Sequence, residues 1–321
     1  MSEHVKVRER LDDQEIAGVL AVVEAATETD GVRPLNEHVM LHMRYGGDPR
    51  ARSLLLYDGS VLAGYAHVDP TDEVEGPSGE LVIHPAHRRR GHGAHLLRAV
   101  LDLAGGRLRL WAHGDHPGAG ALADASGFER ARSLWQMRRS LFAPLAAFDV
   151  PEGVRIRAFV PGQDEEAWLK VNSAAFAHHP EQGAWTMDDL LLREREPWFD
   201  PAGFFLAFRG DRLAGFHWTK IHGSDEHGHE PLGEVYVVGV DPSQQGTGLG
   251  KTLTLAGLAH LRSRGLAQAM LYVDEANTAA IRLYESLGFS RWDVDVMYAA
   301  TPPGSAARST TERPPEPLPE S

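Results

Sequence analysis

Apolar and polar positions follow the same order twice along this chain. In the first half, residues 5–8 read as a strand, 15–26 as a helix, and 53–57 with 61–68 as a hairpin across Asp58-Gly59. In the second half, residues 154–157 read as a strand, 165–176 as a helix, and 204–208 with 213–220 as a hairpin across Gly210-Asp211. The repeated order predicts two units of the same fold.

Each half continues with an apolar strand, a turn and a glycine-rich helix start. Residues 81–85 lead into Arg88-Arg89-Arg90-Gly91-His92-Gly93, and residues 237–242 lead into Gln245-Gly246-Thr247-Gly248-Leu249-Gly250. Glycines leave no Cβ between such a turn and a bulky anion. Because the first N–H groups of a helix are unpaired and carry partial positive charge, both loops are predicted to bind phosphate groups.

Composition narrows the class of protein. A chain of 321 residues suits two domains of ordinary size, and its zero cysteines exclude disulfides and thiolate nucleophiles. With 45 acidic against 32 basic residues and a formal charge of -13, no nucleic-acid partner is expected. No apolar run resembles a signal peptide or a membrane span, so a cytoplasmic enzyme with no membrane partner is expected.

The duplicated [Arg/Gln]-x-x-Gly-x-[Gly/Ala] element resembles the acyl-coenzyme A site of the GNAT acetyltransferases. The resemblance implies an α/β fold of two tandem domains, each with a central mixed sheet flanked by helices. It implies acetyl-coenzyme A as cosubstrate and no metal. The expected boundaries are a first domain at 1–140, a linker at 141–153, a second domain at 154–300 and a proline-rich, disordered tail at 301–321. Phe142, Leu145 and Phe148 predict that the linker packs against the protein.

Cofactor contacts follow from the resemblance in both halves. In the second half they are Val238, Gly239, Val240, Gln245, Gly246, Thr247, Gly248, Leu249, Gly250, Lys251, Asn277 and Arg282. The matching positions of the first half are Leu81, Val82, Ile83, Arg89, Arg90, Gly91, His92, Gly93 and Ala94. The amides of Val238 to Val240, at a bulge typical of the family, are expected to receive the oxyanion of the reaction.

Two residues of the second half are candidates for acid–base chemistry. The resemblance implies that Glu234 is the general base, acting through a water, and that Tyr284 protonates the departing thiolate. Glu234 could instead be an exposed carboxylate at the end of a strand, and Tyr284 a core aromatic. The first half has His116 and Ala123 where Asn277 and Tyr284 stand in the second. Since alanine cannot donate a proton, the first half is expected to be catalytically degenerate.

Longer blocks resemble one branch of the family, the tandem enzymes that acetylate the cysteine amine of desacetylmycothiol, a cysteine joined to glucosaminyl-inositol. The blocks lie at 30–32, 172–176, 179–183, 198–201, 215–220 and 233–237, and the resemblance extends to about residue 300. It implies that this small molecule is the partner of a monomeric enzyme. The substrate-binding positions that it implies are Glu37, Glu181, Lys220, Glu234 and Tyr272, with Glu37 reaching across from the first domain.

Other interpretations remain open at the level of sequence. Gly250-Lys251-Thr252 matches the last three residues of the nucleotide-binding P-loop motif, although that motif requires glycine where Gln245 stands. The acceptor could be another amine, such as an aminoglycoside or a protein N-terminus, and a non-catalytic acyl-coenzyme A sensor would use the same loops. The His- and acid-rich segment 222–230 is interpreted as a solvated loop and not as a metal site. Trp185, Trp198 and Trp218 are candidates to stack on a sugar ring, or core residues.

Overall fold

The computed structural model describes residues 3–72, 75–177, 182–223 and 230–300. The strands of the first half are β1 (Glu3–Arg8), β2 (Arg52–Asp58), β3 (Val61–Asp69), β4 (Ser78–Ile83), β5 (Arg109–Ala112) and β6 (Phe128–Ser140). Its helices are α1 (Asp13–Asp30), α2 (Glu37–Tyr45), α3 (His92–Leu103) and α4 (Pro117–Ala125). Every strand and helix that the pattern predicts in this half coincides with one of these elements.

The second half repeats the order. Its strands are β7 (Val154–Ala158), β8 (Phe204–Arg209), β9 (Arg212–His222), β10 (Leu232–Val240), β11 (Gln268–Asp274) and β12 (Ser290–Ala300). Its α-helices are α5 (Glu165–Ala175), α6 (Met187–Glu194), α7 (Leu249–Ser263) and α8 (Thr278–Ser286). The α/β class with a mixed sheet is confirmed. No helix in the described parts of the chain is long and apolar enough to cross a membrane.

The strands of both halves form one continuous sheet, in the order β1-β2-β3-β4-β5-β12-β6-β11-β10-β9-β8-β7. The last strand of each half lies beside the other half: β12 pairs with β5, and β6 pairs with β11. β12 and β6 also pair with each other, antiparallel, at the centre of the sheet. This exchange leaves neither half with an unpaired inner edge, which a separate five-stranded sheet would expose.

Helices cover both faces of the sheet. In the first half α1 and α2 bury Val22, Met40 and their neighbours, and the other face packs against α3 through Leu96 and Val100. In the second half α5 buries Trp168 against Trp218, while α7 and α8 pack on the opposite face. The approximate repeat therefore places α2 and α6 on the same face of the sheet, where the two halves meet.

Segment 141–153 packs only in part. Leu145 and Phe148 contact the core beneath α7 and α8, as expected. Phe142 is 79% exposed, so the expectation that it packs is wrong. The tail at 301–321 lies outside the described residues, and the proposed domain boundaries stay a prediction.

In each half, two neighbouring parallel strands separate at the corresponding position. β4 pairs in parallel with β5 only as far as Glu80–Trp111, and β10 pairs with β11 only at Gly233 and Glu234. The segments after these pairs are the ones predicted to meet the cofactor. The register shift in β10 falls between Val235 and Val237, so the bulge is at Tyr236 and not within Val238 to Val240 as expected. β10 also begins at Leu232, two residues before Glu234.

Candidate active site

Both glycine-rich loops present an uncapped helix N-terminus. Gly91 precedes α3 with φ 89°, and Gly248 precedes α7 with φ 81°; neither helix start receives a side-chain cap. A Cβ atom at either glycine would have no heavy atom within 4 Å, so the loops have room for an anion. The left-handed φ is a conformation that glycine adopts without a steric cost. Both loops thus fit a pyrophosphate bound through backbone N–H groups.

The first residue of each motif ties the loop to the strand before it. The Nε atom of Arg88 donates to the carbonyl of Ile83 at 3.0 Å, and the Nε2 atom of Gln245 donates to the carbonyl of Val240 at 3.4 Å. Arg88 also forms a two-pronged ion pair with Asp30, with both N–O distances 2.7 Å. These hydrogen bonds from Arg88 hold the pKa of Asp30 below its usual value. The Arg or Gln of the motif is therefore a structural clamp.

Glu234 is a buried carboxylate, only 6% exposed. The alternative of an exposed carboxylate at a strand end is wrong. Its Oε2 atom lies 2.7 Å from the Nε2 atom of His222, at the end of β9. Glu234 stands opposite Lys220 in the antiparallel pairing of β10 with β9, so both side chains are on one face of the sheet. The carboxylate is thus held in a defined position beside a second charged group.

Tyr284 is buried on α8, 8% exposed, with its ring against Phe289. Burial raises the pKa of Tyr284 to about 12, which keeps the phenol protonated at neutral pH. At the start of α8, Asn277 accepts a hydrogen bond from the N–H of Ala280 at 3.1 Å and caps the helix. In the first half His116 caps α4 in the same way, and Ala123 is buried.

A cleft of about 890 Å³ lies beside Asn277 and is lined by residues of both halves. Arg109 and Arg132 contribute from the first half, and Phe176 and Asp274 from the second. The guanidinium of Arg132 forms an ion pair with Asp274. The cleft therefore lies between the two halves, at the end of β11.

Glu37, at the start of α2, crosses to the second half and forms an ion pair with Lys220. The phenol of Tyr236 donates to Glu37 at 2.5 Å and accepts from the Nε of Arg193 at 2.9 Å. Burial raises the pKa of Glu37, but the charge and hydrogen bond of Lys220 outweigh it, so the net shift is downward. The ammonium of Lys220 also lies 4.3 Å from the ring centroid of Trp198. A carboxylate, an ammonium and a phenol thus meet at one point between the halves.

Of the remaining predicted residues, some lie in this region and others are exposed to solvent. Tyr272 is 40% exposed and accepts a hydrogen bond from the Nε2 of Gln136 at 3.0 Å. Lys251 and Arg282 are exposed on α7 and α8. Trp218 is fully buried, which makes it a core residue, whereas Trp185 and Trp198 are partly buried around it. Glu181 and most of segment 222–230 lie outside the described residues.

Sequence reasoning missed His222, Tyr236 and Arg193 as members of this site. One signal was available for His222. The predicted strand ended at Lys220 and His222 was assigned to a loop, whereas β9 continues to His222, so alternation places both side chains on the same face. Once Lys220 is assigned to the site, the next residue on that face is a further candidate.

The chain matches the model of the Acetyltransferase (GNAT) family at residues 14–128 and 168–289. Each match spans one glycine-rich loop, which contradicts the P-loop interpretation. A mycothiol acetyltransferase of Streptosporangium roseum is 66% identical, with 93% of this chain and 99% of that protein covered. One of Thermobispora bispora is 64% identical over the same shares.

Solved structures agree on the fold. A tandem GNAT protein from the clavulanic acid biosynthesis pathway has a TM-score of 0.71 at 20% identity, with 93% of this chain and 98% of that chain covered. A GCN5-related N-acetyltransferase from Sphaerobacter thermophilus has a TM-score of 0.65 at 23% identity, with 92% and 95% covered. By its two family matches and its identity to these relatives, the chain belongs to the GNAT acetyltransferases and, within them, to the mycothiol acetyltransferases.

Proposed function

We propose that this enzyme transfers the acetyl group of acetyl-coenzyme A to the cysteine amine of desacetylmycothiol, the final step of mycothiol biosynthesis. The observation that carries the proposal is the 66% identity over 93% of the chain to a mycothiol acetyltransferase. That identity extends over nearly the whole chain and over nearly the whole relative, so it supports a shared reaction and not only a shared fold. The buried polar groups between the halves supply a matching acceptor site.

The cosubstrate supplies the acetyl thioester, and the chain holds its pyrophosphate at the start of α7. Gly246 and Gly248 keep side chains away from that anion, and Val238 to Val240 offer backbone N–H groups to the charge that develops on the thioester oxygen. Asn277 has its Oδ1 committed to the cap of α8, which leaves the amide Nδ2 to donate to the coenzyme A arm. Lys251 and Arg282, both exposed, add positive charge at the loop.

The acceptor is bound by charges from both halves. Glu37 pairs with Lys220, which stands opposite Glu234 on the same face of the sheet, and Tyr272 and Glu181 are proposed as further contacts. Carboxylates and an ammonium suit a cationic sugar amine and the hydroxyls of an inositol. The first half thereby supports binding of the acceptor through Glu37, even though Ala123 deprives it of an acid.

Two proton transfers complete the reaction. The free α-amine of the acceptor has a pKa of about 8, so Glu234, through a water, removes a proton at modest cost and yields the neutral nucleophile. His222, hydrogen-bonded to Glu234 and 38% exposed, connects this carboxylate with solvent. Tyr284, protonated because burial raises its pKa to about 12, donates to the departing thiolate.

The proposal includes the organisation of the chain. The functional units are a supporting domain at 1–140 and a catalytic domain at 154–300, joined by 141–153, with the tail at 301–321 outside both. The enzyme works as a cytoplasmic monomer, without a nucleic-acid or membrane partner. A coenzyme A molecule can also bind at Leu81 to Ile83 and Arg89 to Ala94 without being consumed.

The test is to incubate the purified full-length enzyme with acetyl-coenzyme A and desacetylmycothiol and to identify the acetylated product by mass spectrometry. This readout avoids interference from the thiol of the acceptor. An aminoglycoside and a peptide with a free N-terminus serve as competing acceptors, and Tyr284→Phe as the matched inactive control. Preference for either competitor refutes the acceptor assignment. Binding of acetyl-coenzyme A without turnover of any acceptor refutes catalysis.

A further inference from the structure

Three metal-ligating side chains meet beneath the glycine-rich loop of the first half. The Nδ1 atom of His87 lies 3.5 Å from Oδ2 of Asp58, and the Nε2 atom of His92 lies 3.7 Å from the same oxygen. One ligand atom from each residue lies within 4.8 Å of the other two. Two ligands at about 2.1 Å from a tetrahedral ion are about 3.4 Å apart, so the two separations from Asp58 need little adjustment to hold an ion.

The ring nitrogens nearest Asp58 are buried and have no hydrogen-bond partner among the described residues. The Nε2 atom of His92 and the Nδ1 atom of His87 make no hydrogen bond to the described residues, and the side chain of His92 is 7% exposed. A buried polar nitrogen without a partner is costly unless something binds it. An ion between the three residues would satisfy both nitrogens at once.

Glu3 supplies the support that a metal-binding histidine requires. Its Oε1 atom lies 2.8 Å from the Nδ1 atom of His92. When this nitrogen carries the proton, the lone pair is on Nε2, the atom that faces Asp58. Histidines that bind metal ions commonly donate their other N–H to a carboxylate in this way. The tautomer that Glu3 selects is therefore the one that a metal ion needs.

The second half provides an internal comparison. By the aligned motifs, Gln244 and Leu249 take the places of His87 and His92, and Arg209 ends the strand that corresponds to β2. Arg209 donates to Gln244 at 2.9 Å, so these positions are also in contact there. Leu249 is 1% exposed and belongs to the apolar core. The repeat thus brings the positions of Asp58 and His87 together in both halves, and the first half alone has two histidines and an aspartate at the three positions.

We propose that Asp58, His87 and His92 bind one Zn²⁺ ion, with a water as the fourth ligand. Two imidazoles and a carboxylate form a donor set that suits this ion. The ion connects the β2–β3 turn, the turn before the glycine-rich loop and the first residue of α3. It also places positive charge beneath the phosphate-binding N–H groups. Arg90, whose guanidinium lies 3.9 Å from Asp58, is 58% exposed and can turn to solvent when the ion binds. The ion takes no part in acetyl transfer, which Glu234 and Tyr284 carry out in the other half.

The experiment measures Zn²⁺ binding by calorimetry on the full-length enzyme, after chelator treatment and removal of any histidine tag. Co²⁺ replaces Zn²⁺ in a second titration, because its visible spectrum reports the coordination geometry. His87→Gln and His92→Leu install the residues of the second half, so the fold should be kept, and circular dichroism checks this. Glu3→Gln tests the supporting carboxylate, and His42→Gln tests the other cluster that could hold an ion, formed by His38, His42 and Asp189.

We expect one ion per chain, at least 100-fold weaker binding in His87→Gln and His92→Leu, and about 10- to 100-fold weaker binding in Glu3→Gln. Zn²⁺ should raise the melting temperature of the wild type and of His42→Gln, but not of the two ligand variants. The proposal fails if the wild type binds no ion stoichiometrically. It also fails if His87→Gln binds as tightly as the wild type, or if binding is lost only in His42→Gln.

Discussion

The Nε2 atom of His222 lies 2.7 Å from the Oε2 atom of Glu234, which joins the buried candidate base to a side chain at the edge of the site. The contact is diagonal across two antiparallel strands, because Glu234 stands opposite Lys220 and Leu232 opposite His222. Both residues belong to strands and not to a loop. One oxygen of the Glu234 carboxylate is thus engaged by His222.

His222→Phe should lower kcat about 3- to 30-fold and leave the KM for acetyl-coenzyme A unchanged, because it releases the Glu234 carboxylate without touching the cofactor loop. A hydrogen bond to a charged group contributes about 1.5–3 kcal/mol, part of which is lost at a half-exposed position. His222→Gln keeps a donor and should retain most of the activity. Equal loss in both variants, with unaltered pH profiles, would mean that His222 has only a structural role.

Glu234→Gln should reduce the rate most at low pH and regain part of it as the pH rises. The α-amine of the acceptor has a pKa of about 8, so above that value a growing fraction is already neutral and needs no base. The measurement is kcat/KM between pH 6 and about 9.5 for the variant and the wild type. A defect of constant size across this range would assign Glu234 to acceptor binding instead.

Tyr284→Phe should lower turnover about 10²- to 10⁴-fold with little change in coenzyme A affinity, since it removes a proton donor and keeps the ring against Phe289. Because the pKa of Tyr284 is raised to about 12, ionisation of this residue should not limit activity below about pH 10. Single-turnover kinetics separate the chemical step from product release. A change under about threefold in the single turnover would remove Tyr284 from the mechanism.

Gly248→Asp should abolish activity, whereas Gly91→Asp should leave most of it. Both substitutions force an unfavourable backbone conformation and put a negative charge where a pyrophosphate meets a helix N-terminus. They differ because only the second half has a buried tyrosine at the acid position. Calorimetry with coenzyme A and circular dichroism accompany the assay. Equal inactivation of two folded variants would show that the first loop is required for catalysis.

A buried cluster of charged side chains connects β12, the last strand of the second half, to the first half. The ring of His113 lies 3.1 Å from Glu80 on β4 and 2.8 Å from Asp295 on β12. Burial alone would lower the pKa of His113, but the two carboxylates outweigh it and raise that pKa to about 10. The folded protein therefore keeps a proton that the unfolded chain releases near pH 6.5. The resulting stability is complete below about pH 6.5 and is lost as the pH rises toward 10.

His113→Gln should lower the free energy of unfolding by about 3–5 kcal/mol at pH 7, because it leaves Glu80 and Asp295 buried without a cation. Urea unfolding of the variant and the wild type at pH 6 and at pH 9.5 measures this. The difference between them should shrink at the higher pH. A difference that does not depend on pH would indicate that His113 contributes through packing alone.

The sequence by itself determined the elements, the duplication and the loops, because each of these is a local property. Alternating apolar residues define the strands wherever they pair, and glycine at 91 and 248 is needed for a left-handed turn before a helix. The family and the acceptor class were also readable, since they depend on residue identity and spacing in long blocks. Glu234 and Tyr284 could be named as candidates for the same reason, and their roles stay a prediction.

Only the tertiary structure decided which strand lies beside which. The last strands of the two halves carry similar patterns, so nothing local distinguishes pairing within a half from exchange between halves. That exchange brings His113 to Asp295, and the packing of α2 brings Glu37 to Lys220. The fold is likewise needed to bring Glu3, Asp58, His87 and His92 together. The partners of a side chain are set by sheet register and helix packing, and both act between residues far apart in the chain.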